Sequence, residues 1–203
     1  MKVNRRSQSD RSAATRGSLI DAARPLFAEQ GFGAVGTEAI VRAAGVTRGA
    51  LYHHFGDKTE LFAAVFDRVE LDLSASIEEA VAAGGSSDVI EVMKLGCNAW
   101  LDASVLPEVQ QIVLIDGPAV LGWERWREIG MRYGMGLVEG MLGHAMEVGR
   151  VRRQPLSALS HVMVGALDEA ALYIARAEDP RTARDEMQQV IALLIEGLAA
   201  PPG

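Results

Sequence analysis

The chain has 203 residues, 49% of them hydrophobic and 23% charged, enough apolar material for one large domain or two small ones around a buried core. No apolar run approaches the ~18 residues of a membrane span, the basic start Met1-Lys2-Val3-Asn4-Arg5-Arg6-Ser7 lacks the apolar centre of a secretory signal, and the single Cys97 excludes an internal disulfide; a cytoplasmic protein is expected. The net charge of −7 hides an asymmetry: Met1–Lys58 holds nine Lys/Arg against five Asp/Glu (+4), Thr59–Gly203 eleven against twenty-two (−11), so only the first quarter suits a polyanion.

Helical periodicity runs almost throughout and strand signals are nearly absent. Ser12–Gln30 carries Leu19, Ile20, Ala23, Leu26 and Phe27 on one face, and Gly31 is placed to end the helix in a left-handed cap. Thr37 is expected to cap a second helix through Ala44, Gly45 to turn the chain, and Thr47 to cap a third helix to about His54. Asp57 followed by Glu60 predicts a capping box opening a long fourth helix, with Leu61, Phe62, Val65, Phe66, Val69 and Leu73 inward. After the loop Ala83–Ser87, helices are predicted near Asp88–Ser104, Pro107–Ile115, Pro118–Val148, Leu156–Glu178 and Arg181–Ala199. The fold class is all-α, about nine helices. Residues 1–56 form an arm and helix-turn-helix unit, and residues 57–203 a larger helical domain joined through the fourth helix.

The stretch Thr37–Leu61 carries the chemistry. Two short helices joined by a turn at Gly45 would bury Ile40, Ala44, Val46, Leu51 and Phe55 and leave the second short helix facing solvent, free to enter a major groove. The pattern Thr-x-x-Ile-x-x-x-Ala-Gly-Val-Thr-x-Gly-x-Leu-Tyr-x-His-Phe-x-x-Lys-x-x-Leu resembles the DNA-binding domain of the TetR family of regulators, with ungapped spacing from about Ser12 to Val69. Beyond Val69 the resemblance lies only in helical layout and length.

The resemblance implies DNA-contact roles for Thr37, Thr47, Arg48, Gly49, Tyr52, His53 and Lys58. Thr37 and Lys58 would hold phosphates, Tyr52 and His53 would meet phosphates or groove edges, and Arg48 would read a base at the O6/N7 edge of guanine. Thr47 is either a cap alone or also a contact. Arg5, Arg6 and Arg11 would form a basic arm. The double-stranded operator would be palindromic and met by a homodimer built on the last two helices, with small residues Gly165, Ala166, Ala170 and Ala171 permitting close approach. A small-molecule effector would release a repressor from DNA.

For the effector pocket the middle helices offer Phe66, Met93, Trp100, Trp123, Trp126, Met131 and Met163 as apolar lining, with Asn98, Asp116, Tyr133 and His144 as polar groups. Gly130, Gly134, Gly136, Gly140 and Gly143 cost helix stability and suggest close contact or room for a ligand. The competing class is an all-α enzyme or ligand carrier without a DNA function. No Cys/His set has metal spacing, no nucleophile turn or phosphate loop is present, and carboxylates fall mostly on expected solvent faces. No catalytic residue, metal or cofactor is therefore expected.

Overall fold

The computed structural model describes residues 8–200, and among them the regular secondary structure is helical apart from one isolated bridge between Val151 and Ala199. The helices are α1 (Gln8–Ala34), α2 (Thr37–Ala44), α3 (Arg48–Phe55), α4 (Lys58–Ala83), α5 (Val89–Ser104), α6 (Gly117–Leu121), α7 (Trp123–Glu147), α8 (Leu156–Arg176) and α9 (Pro180–Leu198), with a π-helical segment at Val109–Asp116 between α5 and α6. Arg5 and Arg6 of the expected arm lie outside the described residues; Arg11 lies on α1.

The inward stripes predicted for α1 and α4 are the buried ones. Leu19, Ile20, Ala23 and Phe27 meet Leu61, Phe62, Val65, Phe66 and Val69, while Leu26 is half-buried at the edge. Phe27, Phe32 and Phe62 pack edge-on or tilted, with ring centroids 5.3–5.8 Å apart, as aromatic quadrupoles prefer. This cluster continues without a break into Ile112, Val113, Trp126, Ile129 and Leu172, so the core of the N-terminal helices is shared with the larger domain. A second cluster joins α5, α7, α8 and α9 around Leu101, Leu142, Ile174 and Ile195. α8 is long and apolar enough by composition to span a bilayer, but it packs against α5, α7 and α9.

Several element ends differ from expectation for local reasons. The cap of α2 is Gly36, and Thr37 is the first helical residue. Thr47 and Asp57 do cap α3 and α4, accepting from the Ala50 and Glu60 backbone N–H groups at 3.2 and 2.8 Å. The Glu60 side chain does not complete the box; it makes a two-point ion pair with Arg125 on α7, at 2.6 and 2.8 Å. Gly31 does not end α1 in a left-handed cap. At φ 75°, ψ 158° it kinks the chain, and a last turn follows to Ala34. The helix predicted over Pro118–Val148 is broken at Gly122, which takes the same conformation, accessible in practice only to glycine. Val109–Asp116 was expected as part of an ordinary helix and is instead π-wound.

The π-wound segment is pinned by tertiary contacts. Trp126 donates its indole N–H to the Val113 carbonyl at 2.8 Å, and the Asp116 carboxylate accepts from the Phe32 backbone N–H at 2.7 Å. Arg24 on α1 reaches Glu108 through two hydrogen bonds of 2.7 and 2.8 Å and also pairs with Asp72 on α4. Next to it Gly117 sits so tightly that a Cβ would lie 2.7 Å from Trp126 Cδ1 and 3.0 Å from Phe66 Cε2. A wound-out helix of this kind is uncommon and marks a place where tertiary demands override helical preference.

Candidate nucleic-acid interface and internal cavity

Two sites emerge, one on the surface of α2 and α3 and one inside the larger domain. On the first, α3 buries Leu51 and Phe55 and turns Arg48, Gly49, Tyr52 and His53 outward. Gly49 has only Thr47 Oγ1 near its missing side chain, at 3.8 Å, so its backbone is open to close approach by a partner. Arg48 donates to Glu38 on α2 and to the Tyr52 hydroxyl, both at 3.3 Å, with its guanidinium 5.5 Å from the Tyr52 ring centroid. The Arg48 bond, and next a bond with Thr37, holds the Tyr52 phenol below its usual range. Thr37, Glu38, Arg48 and Tyr52 thus form one polar patch across the two helices. His53 stands edge-on to His54, centroids 5.2 Å apart, and His54 is half-buried.

Lys58 is placed differently from a free phosphate ligand. Its ammonium donates to the Phe32 and Val35 carbonyls at 2.8 and 2.9 Å and lies 3.9 Å from the Phe32 ring centroid. Two of its three protons therefore tie the start of α4 to the end of α1 and the residue after it, leaving one further donor. Arg16, absent from the sequence-based set, lies 5.0 Å over the Phe55 ring at the C-terminal end of α3. Its basic character and position on α1 were the available signal.

The second site is a cavity of about 90 Å³ lined by α4, α5, α7, α8 and the π-wound segment. Trp100 and Trp126 supply aromatic walls, and both indole N–H groups are already used, toward the Leu167 and Val113 carbonyls at 3.1 and 2.8 Å. Leu137, Val138 and Met141 extend the apolar lining. One end is polar: Glu70, Arg127 and Asp168. Arg127 donates to Asp168 at 2.6 Å. Burial raises the Asp168 carboxyl to about 6 and outweighs the opposing pull of Arg127. Glu70 is only 8% exposed and receives no hydrogen bond among the described residues. Burial, with Asp168 and Asp67 adding repulsion, pushes it up to about 8. A Cβ on Gly130 would lie 3.8 Å from Glu70 Oε1, and one on Gly165 3.8 Å from an Arg127 nitrogen, ordinary contact distances, so both glycines border this polar end. Cys97 also lines the wall, its thiol pushed up to about 12 by burial and so unreactive near neutrality.

The residues expected to form a pocket are scattered around this cavity. Trp100 and Trp126 line it, and Met93 and Met163 line a small adjoining void behind Cys97. Phe66 is fully buried against Gly117, and Tyr133 packs on the first core. Met131 is half-buried and lines neither void. Asn98 faces an outer groove between α4 and α5, Asp116 is committed to Phe32, and Trp123 and His144 are exposed. Of the α7 glycines, Gly130 and Gly134 border the cavity. Glu70 and Asp168 lie outside the sequence-based set because carboxylates are expected on solvent faces, and Arg127 carries no local signal that sets it apart from the other arginines of α7. The signal for Glu70 was its register, four residues after Phe66 on the inward stripe of α4.

Known proteins resemble this chain over both sites. Residues 19–65 match the family described as bacterial regulatory proteins of the tetR family, and residues 90–198 match the tetracyclin repressor-like C-terminal domain. The Transposon Tn10 TetC protein of Escherichia coli is 24% identical over 190 residues, 94% of this chain and 93% of that protein. The crystal structure of a TetR-family regulator from Pectobacterium atrosepticum superposes with a TM-score of 0.85 at 30% identity, covering 98% of this chain and all of that one. RolR in complex with resorcinol shares the fold, with a TM-score of 0.73 at 22% identity over 96% of this chain and 97% of that one.

Proposed function

Because this chain belongs to the TetR family, and is thus a DNA-binding transcriptional regulator and not an enzyme, we propose that it represses transcription as a cytoplasmic homodimer on a palindromic operator and is released by a small molecule bound in the cavity. The observation that carries this reading is the exposed polar face of α3, with Arg48, Gly49, Tyr52 and His53 pointing away from a buried Leu51–Phe55 seam. In such a dimer two recognition helices enter successive major grooves, ~34–36 Å apart. Arg48 reads a base edge, Tyr52, His53 and Thr37 hold the backbone, Gly49 permits close approach, and Thr47 adds a contact while capping α3. Lys58 spends its remaining proton on a phosphate. Residues 1–56 do the reading, and residues 57–203 sense and dimerise.

Dimerisation through α8 and α9 is supported by their outer apolar side chains. Val162, Tyr173, Val190, Leu193 and Leu194 are between 48% and 67% exposed, a patch that a four-helix bundle with a second copy would cover. Ala170 and Ala171 are buried within the chain, so they do not serve that face. Effector release is supported by the position of the cavity. Trp126 and Val113 line it, and the same π-wound segment holds Phe32 through Asp116, with Arg24 held by adjoining Glu108. A ligand that displaces Trp126 would therefore move the end of α1, on which α2 and α3 rest. RolR, described with resorcinol bound, supports a cavity effector in this fold.

Selection of bound duplexes from a random pool tests the reading. Recovery of an inverted repeat, lost with Arg48→Ala and weakening steeply with salt, is the expected outcome. No enrichment at moderate salt, with the protein folded and free of ligand, would overturn it.

A further inference from the structure

The polar end of the cavity carries more information than its existence. At about 90 Å³ it is smaller than the ~150 Å³ void known to take up benzene in a protein core. A single ring, admitted with small side-chain shifts, fills the space between the two indoles. Trp100 and Trp126 face that space with their indole N–H groups already spent, so the walls offer flat apolar contact and no directional bond. Directionality comes only from Glu70 and from the Arg127–Asp168 pair.

These groups differ in what they lack. Arg127 donates one of its N–H groups to Asp168 at 2.6 Å, so the two already hold each other as an ion pair. Glu70 is buried, faces the cavity beside Gly130 and has no hydrogen-bond partner among the described residues. A carboxylic acid needs a partner that accepts from its O–H and donates to its carbonyl oxygen. A hydroxyl does both. An ammonium only donates, and a carboxylate only accepts and would lie against Asp168. Building on the effector reading of this cavity, we infer that it is specific for an uncharged, one-ring aromatic compound carrying a hydroxyl group, which Glu70 recognises by giving and receiving a hydrogen bond. The protonation of Glu70 near neutral pH, with its carboxyl at about 8, fits this role. Around it stand Asp67 on α4, itself paired with Arg132 of α7 at 3.0 Å, Arg127 on α7 and Asp168 on α8. None donates a hydrogen bond to Glu70.

The test is a titration of the full-length protein with four probes of one size, phenol, toluene, benzylamine and benzoate, followed by quenching of tryptophan fluorescence and by calorimetry in two buffers of different ionisation heat. Phenol is expected to bind at least about tenfold more tightly than toluene and than either ion, with the same heat in both buffers, because no proton is exchanged. Glu70→Gln keeps a donor and an acceptor and should hold phenol affinity within about threefold, whereas Glu70→Leu should reduce it about tenfold or more. Tighter binding of benzylamine, with a proton released, would overturn the proposal in favour of a cation site. Equal binding of phenol and toluene would overturn it as well. So would unchanged phenol affinity in Glu70→Leu, and if that variant does not fold, the wild-type probe series decides alone. Binding is read without DNA. Phenol that binds as expected yet leaves DNA affinity unchanged therefore contradicts the effector reading while the ligand class stands.

Discussion

The reading surface and the cavity are built on opposite principles. Thr37, Glu38, Arg48 and Tyr52 come from sixteen consecutive positions on two short helices, and their polar atoms are solvated. Glu70, Trp100, Trp126, Arg127 and Asp168 come from four helices spread over about a hundred residues and are largely withdrawn from water. A surface patch of charged side chains costs the fold little, so substitutions there should change DNA binding and leave stability alone. A buried polar cluster is paid for by the whole fold, so substitutions there should change stability and ligand response together.

The largest effect that sharpens this contrast belongs to Glu70. Its carboxyl is raised from 4.5 to about 8 in the folded protein. Between those values the native state keeps a proton that the unfolded chain releases, so stability falls as pH rises through that window and levels off above it. The slope approaches about 1.4 kcal/mol per pH unit for one proton. Asp168, raised from 3.8 to about 6, adds a loss of the same sign at lower pH. Denaturant unfolding of Glu70→Gln should show the slope above pH 6 removed; a parallel pH dependence in the variant would contradict the buried acid.

Next comes the joint between the two regions. Gly117→Ala places a Cβ within 3.1 Å of Trp126, Phe66 and the Ile112 carbonyl, and overpacking of this kind costs about 1–3 kcal/mol. Thermal unfolding should show a Tm lowered by several degrees, with the cavity's ligand affinity changed as well because Trp126 must shift. An unaltered Tm would mean that the π-wound segment yields easily and transmits little.

At the reading surface Arg48→Ala should weaken binding to a selected operator by about 1–3 kcal/mol, roughly ten- to a hundredfold, with thermal unfolding unchanged. The smallest expected change is Glu38→Gln. It removes a carboxylate that holds Arg48 at 3.3 Å on the face proposed to meet DNA, so DNA affinity should rise a few-fold at low salt, and less at high salt. A drop in affinity would show that Glu38 positions Arg48 for its base.

Legibility from sequence follows the same division. The stripes Leu19–Phe27 and Leu61–Leu73, the turn at Gly45 and the caps Thr47 and Asp57 are local devices, and local patterning exposes them. The π winding of Val109–Asp116 is held by Phe32 and Arg24, each 84 residues from its partner, and by the indole of Trp126 folded back on Val113, contacts that local periodicity does not encode. On α9, Met187, Val190, Ile191, Leu194, Ile195 and Leu198 recur at helical spacing, yet the set divides in space, Ile191 and Ile195 turning inward while Val190 and Leu194 remain outside. The polar end of the cavity was hidden for a related reason. A carboxylate on an inward register looks like a flaw in the stripe until Arg127 and Asp168, from two other helices, are seen beside it.

Coupling between the two regions is the central claim, and DNA affinity measured with the cavity empty and then filled tests it most directly. With the selected duplex labelled for anisotropy, a ligand that saturates the tryptophan response should weaken operator binding about tenfold or more, and operator should weaken ligand binding by the same factor. A ligand that saturates the cavity and leaves operator affinity unchanged would contradict it.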